Sequence, residues 1–179
     1  MSTRLVILGL LRERPLYGYE IKHIIEDHMG DWTSIAFGSI YFALGKLAEE
    51  GFIEKIATEQ KGNRPSRGIY QITDAGSHEF KRLLRQLWSE VERQYFAFDI
   101  ALFFTGALPI DEIKGHLRGR VAQLQATFEH ITAHRAEQLA NEHVPRLAAA
   151  IFDHSLAHLQ AELDWTRDLL DKVERGEYP

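Results

Sequence analysis

The sequence predicts a mainly α protein with one small β-hairpin, and three observations carry that prediction. Apolar residues recur every three to four positions through most of the 179-residue chain, the spacing of a helix face turned toward a core. Only between Phe52 and Thr73 does the period shorten toward two, in "FIEKIAT" and "RGIYQIT", with the polar, turn-rich "EQKGNRPS" between them. Beyond Thr73 the helical texture runs almost to the end, with interruptions at Gly106, Pro109 and Pro145.

Residues 3 to 14 read as the first helix, with Leu5 and Leu8 inward, Val6 or Leu11 beside them, and Pro15 as the stop. "LYGYEIKHIIEDHMG" reads as the second, with Ile21, Ile24 and Ile25 on its apolar face and Gly30 as its C-cap. The third, "FGSIYFALGKLAEEG" at 37 to 51, turns Ile40, Leu44, Leu47 and Ala48 to one side. Its other side carries Phe42, Gly45, Lys46 and Glu49, with Gly38 and Ser39 at the N-terminal end. A glycine inside a helix costs about 1 kcal/mol relative to alanine, and a phenylalanine is an odd choice for a face turned to water. Helix, helix, helix, hairpin is the order of a winged helix-turn-helix, whose third helix lies in the DNA major groove. In that setting the glycines admit close backbone approach to phosphates and the helix N-terminus favours an anion. Phe42 then meets a thymine methyl, Lys46 a phosphate or guanine, and Tyr41 shares this face. The competing reading packs Phe42 against the first helix or the wing.

From Thr73, an N-cap with Asp74 in the first turn, "TDAGSHEFKRLLRQLWSEVERQYFAFDIALFF" reads as one helix. A helix of about 30 residues follows, with Ile113, Leu117, Val121, Leu124, Phe128 and Ile131 inward. The last helix carries the stripe Phe152, Leu156, Leu159, Leu163, Leu170 and Val173. A narrow stripe on long helices calls for partners beyond the chain's own neighbours, so this half reads as a dimerisation module. The expected domains are residues 1–76, the winged helix-turn-helix, and 77–179, the helical dimerisation domain.

Composition narrows the function classes. Net charge is −5, so affinity for nucleic acid must come from a local patch. Residues 1–76 hold nine Lys or Arg against ten Asp or Glu, whereas 55–67 hold four basic residues against Glu59 alone. Lys61, Arg64 and Arg67 on a hairpin tip suit phosphate or minor-groove contact. Tyr17 and Tyr19, opening the second helix, are candidate phosphate donors. Cysteine is absent, which removes disulfides and thiolate metal sites and fits a reducing cytoplasm. "LVILGLL" near the start has no cleavage signal beside it, and the 11-residue "IALFFTGALPI" is far too short to span a bilayer. There is no G-x-S-x-G, H-E-x-x-H, P-loop or dinucleotide fingerprint, so no enzyme reading acquires a candidate, and no cofactor is expected.

Three segments also carry a family resemblance. "LVILGLLRERPLYGYEIKHIIED", "FGSIYFALGKLAEEGFIE" and "GNRPSRGIYQITDAGSHEF" resemble, in order and spacing, the PadR family of transcriptional regulators. The resemblance covers residues 5 to 80 by motif, and the helical remainder is similar to the family's dimerisation domain in type. It implies a homodimeric repressor on a pseudo-palindromic double-stranded operator, released by a small aromatic or hydrophobic effector. The sequence departs from the family pattern at Phe42, where proline is common, and at Gly68, where the wing end is usually more basic.

Two further constellations stand outside that reading. His130 and His134, and again His154 and His158, repeat an i, i+4 spacing on the last two helices. Facing pairs of that kind can build a four-imidazole metal site, giving a metal-responsive regulator as the alternative. The aromatics Trp88, Tyr95, Phe96, Phe128 and Trp165 are core candidates. With an effector, they are expected to line a gap between the DNA-binding domain and the helical arm.

Overall fold

The computed structural model describes residues 2–30, 33, 35–59, 67–91, 93–140 and 147–178. They form two compact units, Met1–Arg93 and Gln94–Pro179.

In the first unit α1 (Ser2–Glu13) leads through β1 (Leu16–Tyr17) into α2 (Gly18–Met29) and α3 (Phe37–Glu49). The hairpin strands β2 (Ile53–Glu59) and β3 (Arg67–Ile72) follow, then α4 (Asp74–Ser89). The sheet is antiparallel in the order β1-β3-β2. β1 was not foreseen, because two residues hold no period; it exists because Leu16 and Tyr17 pair with Tyr70 and Ile69. The uneven alternation of β2 has a local cause: the register slips between Lys55 and Ala57, leaving Ile56 bulged and exposed.

One core joins these elements. Ile7, Leu8 and Leu11 of α1, Ile21 and Ile25 of α2, Ile40, Ala43, Leu44 and Leu47 of α3, Leu16, Ile53 and Leu83 are all buried in it. Two sequence expectations shift by a position: Ile7, not Leu5, is fully buried, and Ala43 takes the inward place expected for Ala48. Gly30 follows α2 in a right-handed conformation (φ −59°), so it does not make the left-handed turn expected of a glycine cap. The compact unit also continues past residue 76. Leu83 is buried in the core and Phe80 lies against Gly9, so α4 belongs with α1.

The second unit holds α5 (Ala97–Phe103), a 3-10 turn at Thr105–Ala107, α6 (Ile110–Leu139) and α7 (Ala148–Glu174). The single helix expected over 73–104 is thus two helices, broken at Glu90, whose backbone is extended (φ −90°, ψ 134°). No glycine or proline marks the break. Within its unit α4 runs out of apolar partners after Leu83, leaving Leu87 and Trp88 exposed. α6 and α7 form an antiparallel hairpin: Arg118 pairs with Glu174 at 2.5 Å and Arg135 with Asp153 at 2.9 Å, and Arg120 with Glu162 between them. Leu117, Ile131, Phe152, Leu163, Thr166 and Val173 are buried in this unit. No described helix is long and apolar enough to cross a membrane.

Candidate nucleic-acid interface

The outward face of α3 is as unusual in space as in sequence. Phe42 is 69% exposed and Tyr41 44%, so Phe42 packs against neither α1 nor the strands, and the packing alternative falls. Around Gly38 and Gly45 a Cβ would meet nothing within 4 Å; both glycines face open space rather than a crowded neighbour. Ser39 closes the first turn, its Oγ donating to the Ala36 carbonyl at 2.6 Å.

Electrostatics separates the two ends of this helix. Lys46 donates to Glu49 at 2.7 Å, a hydrogen bond that raises the lysine pKa and occupies its charge in the free protein. Glu50 lies just beyond, held below the usual carboxylate range first by its hydrogen bond from Arg4. The C-terminal end therefore carries two carboxylates, whereas Gly38, Ser39, Tyr41 and Phe42 sit on turns with none. A polyanion is met most favourably by the N-terminal half, which is also the half that reads bases in helix-turn-helix proteins. Lys46 has to exchange Glu49 for a phosphate before it contributes.

The tyrosines converge on the same region. A Cβ on Gly18 would lie 3.2 Å from a Tyr41 ring carbon and 3.4 Å from Leu44, so the start of α2 fits against the middle of α3 only because residue 18 is glycine. Tyr17 and Tyr19 flank it with rings stacked 5.4 Å apart. Tyr17 also starts α2 through its N–H, which donates to Glu20 at 2.8 Å. Tyr17, Tyr19 and Tyr41 thus gather around the start of α2. Of the wing cations, Arg67 opens β3, while Lys61 and Arg64 lie outside the described residues.

Sequence reasoning missed two contributors to this face, Gly18 and Arg4. Arg4 donates to both carboxylate oxygens of Glu50, at 2.9 and 2.5 Å, and bolts α1 to the end of α3. Only the bidentate geometry reveals it, since the partners are 46 positions apart.

In the second unit a cavity of about 910 Å³ opens among α5, the 3-10 turn, α6 and α7. Phe98, Leu102, Leu117, Trp165 and Val173 give it apolar walls, with Arg120 and Lys172 as cations. Phe98 meets Trp165 edge to face at 6.0 Å and carries the Arg120 guanidinium 4.1 Å above its ring. Of the five aromatics expected to line an effector site, Trp165 alone is in this lining. Trp88 belongs to α4 of the first unit, Tyr95 and Phe96 are exposed ahead of α5, and Phe128 sits further along α6. The expected α7 stripe divides as well. Phe152, Leu163 and Val173 are buried within the chain, and Leu156, Leu159 and Leu170 remain partly exposed.

The histidine pairs do not come together as a metal centre. His154 and His158 approach to 3.1 Å between Nε2 atoms, and His134 packs edge-on against Phe152 with ring centroids 5.5 Å apart. Among the described residues no group of three or more His, Cys, Asp or Glu is placed to hold a metal ion. The four-imidazole site is not assembled, because helical spacing brings each pair together along its own helix without converging the two pairs.

Comparison with known proteins follows the same division. Residues 7–82 match the family described as Transcriptional regulator PadR-like. The negative transcriptional regulator PadR of Bacillus subtilis strain 168 is 25% identical over 175 residues, spanning 94% of this chain and 96% of its own length. The crystal structure of Bacillus subtilis PadR with operator DNA aligns at a TM-score of 0.79 and 24% identity, covering 97% of this chain and 99% of that one. The structure of Bacillus subtilis PadR with p-coumaric acid aligns at a TM-score of 0.79 and 21% identity, with the same coverage.

Proposed function

We propose that the chain, whose residues 7–82 match the PadR-like family of transcriptional regulators, is a member of that family and a homodimeric repressor of a pseudo-palindromic operator, released by a small aromatic or hydrophobic effector. The observation that carries the DNA part is Phe42, a large apolar side chain left 69% exposed beside a first helical turn that holds no carboxylate. Such a residue is costly against water and useful against a thymine methyl in the major groove. The start of α3, whose N-cap Ala36 offers no side-chain cap, suits a phosphate. Tyr17 and Tyr19 add phosphate donors beside it. The negative regulation attributed to the Bacillus subtilis relative supports repression here. Its p-coumaric acid complex, together with the cavity of about 910 Å³ in the second unit, supports an aromatic effector.

Phe42→Ala tests the face directly. The exposed ring contributes little to folding, so thermal stability should hold, while operator affinity should fall by roughly ten- to a hundredfold, the range of one base contact. Non-specific DNA should bind as before. Operator affinity equal to wild type would mean that another surface meets DNA.

The wing makes a separable prediction. If Arg64 and Arg67 each neutralise one phosphate, each alanine variant should flatten the plot of log affinity against log salt by about 0.9. Specific and scrambled DNA should lose affinity alike. If Arg64 enters the minor groove, its loss should weaken A·T-rich flanks more than G·C-rich ones. An unchanged slope in both variants removes the wing from the interface.

A further inference from the structure

We propose that Thr73 and Gly76 are positioning residues for DNA readout: they tie the C-terminal end of α3 to the first turn of α4 and so set the angle at which α3 enters the groove. The proposal rests on the DNA-binding reading above. Its starting point is the way α3 ends. The Gly51 N–H donates to the Ala48 carbonyl at 3.1 Å and the Phe52 N–H to the Leu47 carbonyl at 2.9 Å. With Gly51 at φ 76°, this is a Schellman turn. Reversing the chain there leaves the carbonyls of Gly51 and Phe52 pointing out of the helix, and Thr73 takes both. Its Oγ1 donates to Gly51 at 2.8 Å and its N–H to Phe52 at 3.1 Å.

The same hydroxyl then caps α4. Thr73 Oγ1 accepts the Gly76 N–H at 3.1 Å, so both the donor and the acceptor capacity of one hydroxyl are in use. Gly76 completes the seam by having no side chain, since a Cβ there would lie 1.9 Å from the Phe52 carbonyl oxygen. The end of one helix and the start of another thus meet backbone against backbone. Arg4 braces the same end from α1 through Glu50, its guanidinium 5.7 Å from the Phe52 ring.

This matters for readout because the buried support for α3 is apolar. Ile40, Leu44 and Leu47 are buried in the core, but apolar burial is non-directional; it fixes how far the helix sits from the core, not how it is tilted. At this seam Thr73 adds directional bonds to the two residues that follow the C-cap of α3. A change of tilt moves the N-terminal half of α3, where the base-reading side chains stand, while leaving the general attraction to phosphates intact. Loss of the seam should therefore cost specificity before it costs affinity for DNA at large.

The test begins by selecting a duplex from a random-sequence library with the full wild-type chain. Affinities for the selected duplex and for a scrambled one are then compared at one salt concentration for wild type, Thr73→Val, Thr73→Ser and Glu50→Gln. Thr73→Val keeps the shape and removes the hydroxyl, and should lower the ratio of selected to scrambled affinity by about tenfold, as losing one base contact would. Thr73→Ser should restore the ratio, which a role in folding alone does not predict. A folded Thr73→Val with the wild-type ratio overturns the proposal. If Thr73→Val does not fold, Glu50→Gln, which alters only a surface ion pair, decides instead: a lowered ratio supports the seam, and a wild-type ratio overturns it. Failure of the wild-type chain to enrich any sequence overturns the DNA reading itself.

Discussion

Gly76→Ala is expected to destabilise the first unit by about 3 kcal/mol or more, a large part of a typical domain's stability. The added methyl would stand 1.9 Å from the Phe52 carbonyl oxygen and 2.9 Å from Ile72 Cγ1, closer than any real Cβ contact. The oxygen cannot yield alone, because it already accepts the Thr73 N–H. Relief requires either breaking the two hydrogen bonds of Thr73 to the α3 terminus, at about 1 kcal/mol each, or lifting α4. Lifting α4 withdraws Leu83 from the core and Phe80 from Gly9. Gly115→Ala is the control. It lies within α6, where a Cβ meets nothing within 4 Å, and should raise stability by up to about 1 kcal/mol through helix propensity. Circular dichroism melts of both variants give the comparison. A Gly76→Ala protein as stable as wild type would mean that the seam yields easily, and the rigidity argued for it would be lost.

The contrast between those glycines shows what can be read from a sequence and what cannot. Hydrophobic period located α1, α2, α3, α6 and α7, because each buries one stripe against a neighbour and the stripe leaves a trace at every turn. Thr73 was identified as a cap from its own side chain, but nothing in "TDAGS" tells Gly76 from Gly115. The difference is made by Phe52, which chain reversal brings there, and period carries no information about such meetings. β1 escaped notice for the same reason: Leu16 and Tyr17 are a strand only because β3 is beside them. The break between α4 and α5 is set by where the core of the first unit ends, and "SEVERQYF" contains no glycine or proline to mark it. The outward face of α3 was legible because its oddity is local. Phe42 and Gly45 contradict the amphipathic rule at their own positions. For the aromatics, composition revealed their abundance without revealing which wall each one stands in, and of the five only Trp165 reached the cavity.

Replacing Phe103 and Phe104 together by aspartate is expected to turn the proposed dimer into monomers and to weaken full operator binding by about a hundredfold or more. Both rings stand in solvent on the described chain, Phe103 84% and Phe104 64% exposed, with Ile100 of the same helix also exposed. Ile100 and Phe103 on this seven-residue helix, with Phe104 at its C-cap, form a patch that a second copy would remove from water. The sequence directed attention to the α7 stripe instead. Phe152, Leu163 and Val173 are already buried within the chain, so half of that stripe has no surface left to offer. Because the two phenylalanines are exposed, aspartate should change the stability of the isolated chain little, within about 0.5 kcal/mol for each surface change. In an interface the same carboxylates would have to be desolvated without partners, which is strongly unfavourable. A monomer can hold one half-site only, so it forfeits the gain from linked binding while its affinity for an isolated half-site stays at the wild-type level. Sedimentation velocity reports the assembly, and titration with full and half operators reports the binding. If the double variant remains a dimer with full operator affinity, α5 is not the interface, and the partly exposed Leu156, Leu159 and Leu170 of α7 become the surface to alter next. If the wild-type chain sediments as a monomer at micromolar concentration, the dimer itself is refuted.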